Sequence, residues 1–143
     1  MKRQISMPYP TCGHDICAVI TTYHPDLKFP IRVERVRSQV GRVVIVDDAG
    51  DHSNFEILQK WFSHLPDVTL YHNRANEGIA FSLNMGIAIA RSHGYDWLLT
   101  LDDDSTVDKK MVERLIHYYR RIDGHSPIGL IGMSWTQPGV PPE

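Results

Sequence analysis

Short, unbroken apolar runs alternate with amphipathic segments along this chain, and this alternation limits the fold more than any other feature. The runs 16–22, 43–46 and 97–101 are too continuously apolar to be half exposed. Such runs are typical of parallel strands that are covered on both faces. The segment 68–71 predicts a further short strand. Strands that alternate with helices indicate a mostly parallel sheet flanked by helices, so the predicted fold class is α/β.

The spacing of apolar residues predicts two helices in the first half of the chain. The first covers about 30–39, and Pro30 suits its first turn. The second spans the apolar repeat of residues 55–65, with a cap near Ser53 and an end at Pro66.

The second half predicts two more helices and a strand. A helix over about 76–93 begins at Asn76 and is apolar nearly all round, which predicts that most of its surface is buried. Another helix covers 111–122, and Ser105 and Asp108 before it are spaced like a capping box. The segment 128–133 predicts a fifth strand.

Length and composition predict one domain. The 143 residues divide into a loose N-terminal arm over 1–15, a domain over 16–135 and a Pro-rich tail or truncation boundary over 136–143. The net charge of -2 predicts no nucleic-acid partner, because such partners need a strongly basic face. No apolar core of a signal peptide follows the basic start, so we expect a cytoplasmic protein.

Carboxylates follow two of the predicted strands directly. Asp47 and Asp48 come after the second strand, and Asp102, Asp103 and Asp104 come after the fourth. Ligands of open α/β sheets bind outside the carboxyl ends of the strands. The sequence therefore predicts a ligand site at this edge of the sheet.

The three consecutive acids predict a cation site. In an extended segment Asp102 and Asp104 point the same way, while Asp103 points to the opposite side. Oxygen ligands without nearby His or Cys favour Mg²⁺ or Mn²⁺, which bind few carboxylates together with phosphate oxygens. A bound dication attracts a diphosphate and stabilises the charge that develops when the diphosphate leaves.

Structural alternatives stand beside these interpretations. The acids at 102–104 also suit a solvated turn, Asp47 and Asp48 suit a turn after a strand, and Asn76 suits a helix cap. Basic residues on the last helix suit either a solvated face or an anionic lipid surface, which leaves peripheral membrane association open. These basic residues are Lys109, Lys110, Arg114, Arg120 and Arg121.

Five short motifs, in this order along residues 16–133, closely resemble family 2 glycosyltransferases. The last two are most similar to the bacterial rhamnosyltransferase branch of that family. The motifs are Val19-Ile20-Thr21-Thr22-Tyr23, Val46-Asp47-Asp48-Ala49, Asn76-Glu77-Gly78-Ile79-Ala80, Asn84-Met85-Gly86 and Leu101-Asp102-Asp103-Asp104-Ser105.

The resemblance implies a Rossmann-like GT-A fold that binds a nucleotide sugar. It implies transfer of a sugar, rhamnose in the most similar branch, from a dTDP- or UDP-sugar to a glycan or lipid-linked acceptor with inversion, at the inner face of a membrane. It also implies a set of site residues: Thr21 and Asp48 at the donor base, Tyr23 nearby, Asn76 and Gly78 at the border of the nucleotide, Asp103 at the ribose and Asp104 at the metal ion.

The chain departs from the family pattern in one respect. The family places its acidic catalytic base and acceptor site well downstream of the metal motif, and no such segment follows Asp104 before Glu143. We therefore expect a donor-binding half and assign no catalytic residue. The alternative is an inactive fragment that binds nucleotide sugars.

The acidic run also supports a rival interpretation. Residues 101–107 resemble the nucleophile motif of haloacid dehalogenase-type phosphatases, with Asp102 as nucleophile and Asp104 as general acid. In that family, however, the motif normally opens the domain, whereas here it follows four predicted strands. The glycosyltransferase interpretation is preferred for this reason.

Overall fold

A computed structural model describes residues 9–122 and 130–132, and it shows strands and helices in strict alternation. The α/β fold class is confirmed. A 3-10 turn, Gly13–Asp15, precedes the first strand. The elements are β1 (Ile16–Thr22), α1 (Phe29–Arg37), β2 (Arg42–Asp47), α2 (His52–Phe62), β3 (Val68–His72), α3 (Ile79–Ser92), β4 (Trp97–Asp102) and α4 (Met111–Arg121).

The four strands form one parallel sheet in the order β3-β2-β1-β4. The register aligns their carboxyl ends. Asp47 at the end of β2 pairs with Thr22 of β1 and with His72 of β3. On the other side of β1, Thr21 pairs with Asp102 of β4. The sheet therefore brings the residues that follow all four strands to one edge.

Helices cover the two faces of the sheet unequally. α1, α2 and α4 pack on one face around Phe29, Leu58 and Ile45, and they form the larger core. On the other face, α3 alone covers a smaller core that includes Cys17 and Val19. All seven residues of β1 are buried between these layers, which explains why its apolar run is unbroken.

α3 buries one face only, so the predicted burial of most of its surface is wrong. Its buried residues are Ser82, Gly86 and Ala90, which lie on one side at intervals of four. Phe81, on another side of the helix, is 43% exposed, and Ile79 in its first turn is 58% exposed. No other described helix packs on this side of the sheet, so the outward face of α3 has no neighbouring element to cover it.

The cap of α2 differs from the prediction by two residues. The N-cap is Asp51, whose carboxylate accepts hydrogen bonds from the backbone N–H of Asn54 and from the Ser53 hydroxyl, each at 2.7 Å. These bonds, that from Asn54 first, hold the pKa of Asp51 below its usual value. Ser53 lies within the helix and supports the cap.

The predicted start of α3 is wrong, and so is the predicted cap of α4, although α4 begins at Met111 as predicted. Asn76 does not begin α3, because Gly78 occupies the N-cap position with a φ of 86°, a left-handed conformation that favours glycine. α4 begins at Met111 without a side-chain cap. The predicted capping box of Ser105 and Asp108 is absent, since Asp108 accepts the N–H of Lys110 in a turn before the helix.

Part of the predicted N-terminal arm packs against α4. Tyr9 lies 5.5 Å from Tyr119, ring centre to ring centre, and Arg120 donates hydrogen bonds to the carbonyls of Pro10 and Thr11. Residues 1–8 and the predicted tail 136–143 lie outside the described residues. Of the predicted fifth strand only 130–132 are described, and they form no strand. None of the helices within 9–122 is long and apolar enough to cross a membrane.

Candidate functional site

Both acidic runs lie at the carboxyl edge of the sheet, as predicted. Asp47 ends β2 and Asp48 follows it, while Asp102 ends β4 and Asp103 and Asp104 follow it. β1 lies between these strands. The five carboxylates differ in burial: Asp47 and Asp48 are buried, Asp103 is half-buried, and Asp102 and Asp104 are exposed.

Asp47 is fully buried and its carboxylate is satisfied within the protein. One oxygen accepts hydrogen bonds from the side chain of Asn54 at 2.8 Å and the backbone N–H of Ala49 at 3.1 Å. The other lies 2.9 Å from Nδ1 of His72. A buried carboxylate requires such partners. Asp47 therefore joins β2 to α2 and β3 and is not available to a ligand.

Asp48 holds the β3–α3 loop against the sheet. Its Oδ1 accepts hydrogen bonds from the Asn73 side chain at 2.7 Å and the N–H of Glu77 at 2.8 Å. Its Oδ2 accepts the N–H of Gly78 at 2.9 Å. A carboxylate has about four acceptor positions, so capacity for one further donor remains on Oδ2. Asp48 and Gly78, two predicted site residues, are thus in direct contact.

Asp103 joins the end of β4 to the end of β1. Its Oδ2 accepts hydrogen bonds from the Thr22 hydroxyl at 2.8 Å and the N–H of Tyr23 at 3.2 Å. The backbone carbonyl of Asp103 accepts a hydrogen bond from Nε of Arg32 at 2.7 Å. Arg32 also binds Asp26 at 2.8 Å, and this hydrogen bond lowers the pKa of the Asp26 carboxyl. Arg32 therefore fixes the acidic turn to the loop after β1.

The Asp48 and Asp103 contacts form one connected network. The backbone N–H of Asp48 donates to the carbonyl of Thr22 at 2.9 Å, and the Thr22 hydroxyl donates to Asp103. Asn73 continues the chain, because its N–H donates to the carbonyl of Asp47 at 2.9 Å. The loops after all four strands are therefore coupled by hydrogen bonds.

Asp102 and Asp104 are exposed, whereas Asp103 is half-buried. Asp103 and Asp104 lie in a turn closed by the N–H of Ser105, which donates to the Asp102 carbonyl, and not in the extended segment that the prediction assumed. No side-chain hydrogen bond or ion pair engages Asp102 or Asp104 within the described ranges. Asp102 also lines a cavity of about 190 Å³, together with Leu83, Thr100, Leu101 and Ser105. The unpaired Asp102 carboxylate at this cavity and the exposed, unpaired Asp104 carboxylate two residues later suit an oxygen-binding divalent cation.

These carboxylates do not form a complete metal site by themselves. Among residues 9–122 and 130–132, no three His, Cys, Asp or Glu side chains come together in a cluster suited to a metal ion. A cation at Asp102 and Asp104 would take its remaining ligands from water and from the ligand it holds, as Mg²⁺ commonly does with phosphate oxygens.

The remaining predicted site residues vary in their placement. Thr21 is buried and lies beside Asp102 in the sheet register. Tyr23 is 55% exposed, and its ring packs edge-on against His24 at 4.4 Å. Asn76 is exposed, and its side chain makes no hydrogen bond to another described residue. Asn76 is thus near the network in sequence but not joined to it.

Sequence reasoning missed three residues of the network, namely Thr22, Arg32 and Asn73. The position of Arg32 could have indicated its role. A cation in the first turn of a helix is disfavoured by the helix dipole, so its presence there suggests a specific partner. Thr22 and Asn73 had no comparable signal, because their partners lie 81 and 25 residues away.

A cavity larger than the one beside Asp102 lies away from this edge. It has a volume of about 560 Å³ and runs along α1 beside the start of α4. It contains none of the carboxylates that end the strands, so it is not part of the candidate site. Its lining residues are Pro30, Ile31, Glu34, Arg35, Ser38 and Lys109.

Comparison with protein families gives a match over most of the chain. Residues 17–131 match the family model described as glycosyl transferase family 2. The matched range includes β1 from its second residue, the other three strands of the sheet and both acidic runs.

Similar curated proteins transfer sugars according to their names. The chain is 31% identical over 105 residues to a dTDP-rhamnosyl transferase of Shigella flexneri. This alignment covers 73% of this chain and 34% of that protein. It is 24% identical over 110 residues to an undecaprenyl-phosphate mannosyltransferase of Micrococcus luteus, covering 76% of this chain and 45% of the relative. The chain thus spans less than half the length of these relatives.

A solved structure shares the fold. The mannosyltransferase PcManGT from Pyrobaculum calidifontis, solved in complex with GDP-Man and Mn²⁺, superposes with a TM-score of 0.59 at 20% identity. The superposition covers 83% of this chain and 35% of that protein.

Proposed function

The chain belongs to glycosyl transferase family 2, and from that membership we propose that its sheet edge binds the nucleotide-sugar donor of a sugar transfer, together with a divalent cation. The observation that carries this proposal is the pair of exposed, unpaired carboxylates of Asp102 and Asp104 beside the hydrogen-bonded network. Family membership also makes the phosphatase interpretation of Asp102 and Asp104 wrong.

The proposed roles follow from the acceptor capacity of each side chain. Asp48 keeps room for one donor on Oδ2, which suits an N–H of the donor base, and Thr21 lies at the end of the neighbouring strand. Asp103 uses Oδ2 within the protein and retains Oδ1 for a ribose hydroxyl. Tyr23 flanks the nucleotide at the end of β1, and Asn76 and Gly78 border it at the start of α3.

Asp104, assisted by Asp102, would hold a divalent cation and, through that cation, the diphosphate. When bound, Mg²⁺ or Mn²⁺ neutralises the diphosphate and stabilises the charge that develops as it leaves. The complex of PcManGT with GDP-Man and Mn²⁺ supports Mn²⁺ as a suitable ion for a protein of this fold. The contacts of the intervening Asp103 with Thr22, Tyr23 and Arg32 hold this segment at the end of β1.

For the whole reaction we propose transfer of rhamnose from a dTDP- or UDP-sugar to a glycan or lipid-linked acceptor, with inversion. The rhamnosyl transferase of Shigella flexneri, at 31% identity, supports the sugar. No described residue is proposed as the catalytic base. The alternative that this chain binds the donor without turnover uses the same residues, so binding is the property to test first.

We predict that dTDP and UDP bind this chain only with a divalent cation. In calorimetric titrations with Mn²⁺ both nucleotides should release heat, whereas a chelator should abolish the signal because the carboxylates then repel the diphosphate. ADP and GDP should bind at least about tenfold more weakly, a difference of about 1.4 kcal/mol. Equal binding of all four nucleotides with chelator present would contradict the proposed site.

We further propose that the protein associates peripherally with anionic lipid on the cytoplasmic side of a membrane. α4 and its N-cap residue, Lys110, present a stripe of exposed residues at intervals of three and four: Lys110, Arg114, Tyr118 and Arg121. Arg114 faces Asp108 at 3.5 Å, but this exposed pair is weak. A basic stripe with an aromatic residue suits an anionic membrane surface.

Charge reversal on this stripe should weaken membrane binding. Each basic residue near anionic lipid is worth about 1 kcal/mol, so Arg114→Glu with Arg121→Glu should lower affinity for phosphatidylglycerol vesicles at least about 30-fold. Cosedimentation with these vesicles measures the effect, and phosphatidylcholine vesicles should bind neither protein. The matched control reverses two exposed cations elsewhere, Lys60→Glu with Arg91→Glu. An equal loss in the control would refute a specific role for α4.

A further inference from the structure

Asn73 is a buried residue that connects three elements at the site edge. It follows β3 and is 2% exposed. Its amide Nδ2 donates one hydrogen bond to Oδ1 of Asp48 at 2.7 Å and another to the hydroxyl of Ser82, in the first turn of α3, at 2.8 Å. Both amide hydrogens are therefore used between β2 and α3.

The other end of the same amide is unsatisfied. Oδ1 of Asn73 is the one buried side-chain nitrogen or oxygen atom without a hydrogen-bond partner in the part of the chain that the structure describes. A rotated amide would direct this oxygen at the Asp48 carboxylate, which would be repulsive. An unsatisfied buried acceptor costs stability. The Asn73 amide thus leaves its oxygen without a hydrogen bond while it donates one hydrogen to Asp48 and the other to Ser82.

The Asp48 carboxylate transmits this constraint to the β3–α3 loop. It accepts the N–H groups of Glu77 and Gly78, so its orientation sets the position of that loop. Gly50, in the loop after β2, allows this loop to approach the β3–α3 loop closely. A Cβ there would lie 2.9 Å from the Cα of Ala75, which means that the loops after β2 and β3 are in close contact.

We propose that Asn73 is a positioning residue that fixes the Asp48 carboxylate and, through it, the loop of Glu77 and Gly78 in the form that binds the donor nucleotide. This inference rests on the proposed function. Asn73 does not touch the donor itself. Its contribution is to restrict the Asp48 carboxylate to one orientation. The free acceptor position on Oδ2 then keeps the same place relative to the Gly78 backbone.

The chain offers a matched control for this proposal. Asn54 is also a buried asparagine, 7% exposed, and donates from Nδ2 to the neighbouring carboxylate of Asp47 at 2.8 Å. Among the described residues, no hydrogen bond joins it to the β3–α3 loop. Asn73→Ala and Asn54→Ala therefore remove the same kind of side chain and the same kind of bond, from adjacent carboxylates.

The first test uses amide hydrogen exchange without any ligand. Asn73→Ala should lower the protection of the Glu77 and Gly78 N–H groups about tenfold, whereas Asn54→Ala should leave their protection unchanged. Ser82→Ala, which removes only one hydroxyl, should give a smaller loss at the same two amides and serves if Asn73→Ala does not fold. Unchanged protection in the folded Asn73 or Ser82 variant would overturn the proposal.

The second test measures the Kd of dTDP with Mn²⁺ and the unfolding midpoint of each variant. Both asparagine variants should unfold at a lower temperature, but only Asn73→Ala should raise Kd, by about tenfold. Equal increases in Kd for both variants would show a general structural effect and refute positioning. If the wild-type chain binds no nucleotide, the proposed function fails, and the exchange result then decides whether Asn73 fixes the loop.

Discussion

Asp104→Asn is expected to weaken metal-dependent nucleotide binding about 100-fold while leaving the fold intact. The side chain is exposed and has no hydrogen-bond or ion-pair partner among the described residues, so the amide costs little stability. The substitution removes a charged ligand of the proposed cation, an interaction worth about 3 kcal/mol, and the Kd of dTDP with Mn²⁺ should therefore rise about 100-fold. Calorimetry measures the affinity, and the unfolding midpoint should not change.

Asp96→Asn provides the control for this prediction. Asp96 is exposed like Asp104, but it precedes β4 and thus lies at the opposite end of the same strand. The change in net charge is identical, so any general electrostatic effect on an anionic nucleotide would appear in both variants. Nucleotide affinity should be unchanged in Asp96→Asn. If both variants bind as tightly as the wild type, Asp104 is not a ligand of the cation.

Gly86→Val should destabilise the protein strongly without altering the chemistry of the site. A Cβ at Gly86 would lie 2.3 Å from Cγ1 of Val19 and 3.3 Å from Cγ2 of Val46, both in the buried sheet. These β-branched side chains cannot move aside easily, so α3 would have to lift from the sheet. The expected loss is about 3 kcal/mol, which lowers the unfolding midpoint by about 10 °C.

Ala88→Val is the control for Gly86→Val, because it introduces the same side chain into α3 at a position that does not pack on the sheet. Ala88 lies on the exposed side of the same helix, two residues further along. Introducing the same β-branched side chain there should cost only about 0.5 kcal/mol, the difference in propensity between Ala and Val. Thermal unfolding followed by circular dichroism compares the two. Similar midpoints for both variants would show that α3 does not depend on close contact at Gly86.

The sheet could be predicted from sequence because its strands are unusually distinct. β1 has the predicted bounds, since all its residues are buried and no polar residue interrupts the run before Thr21. The acidic edge follows from the same reasoning, because parallel strands end at one side of a sheet. Helix starts were less predictable. At α2 both Asp51 and Ser53 are suitable caps, and only the structure shows which carboxylate or hydroxyl reaches the N–H of Asn54.

The burial of α3 could not be predicted, because composition does not show which neighbours a helix has. Its apolar residues predict burial all round, yet only the face with Ser82, Gly86 and Ala90 meets the sheet. Gly86 itself is informative in retrospect. A glycine in the middle of a helix costs stability, and its close contact with Val19 gives the reason for its presence.

The internal roles of the acids were also inaccessible to the sequence. Asp47 and Asp48 are adjacent and chemically identical, yet Asp47 is satisfied by Asn54 and His72, whereas Asp48 accepts two backbone N–H groups of a loop. These partners come from different elements and are not marked by spacing. The distinction depends on which strand neighbours lie beside each residue, which is a property of the folded sheet.

Paramagnetic broadening by Mn²⁺ tests the central claim most directly. In amide NMR spectra of the chain with dTDP, substoichiometric Mn²⁺ should broaden the signals of residues 102–105, Tyr23 and Gly78 at the carboxyl edge. The signals of Gly41 and Asp96, at the opposite ends of β2 and β4, should stay sharp. Mg²⁺ in place of Mn²⁺ should shift the same signals without broadening them. Broadening centred away from 102–105, or none with dTDP present, would contradict a metal and nucleotide site at the sheet edge.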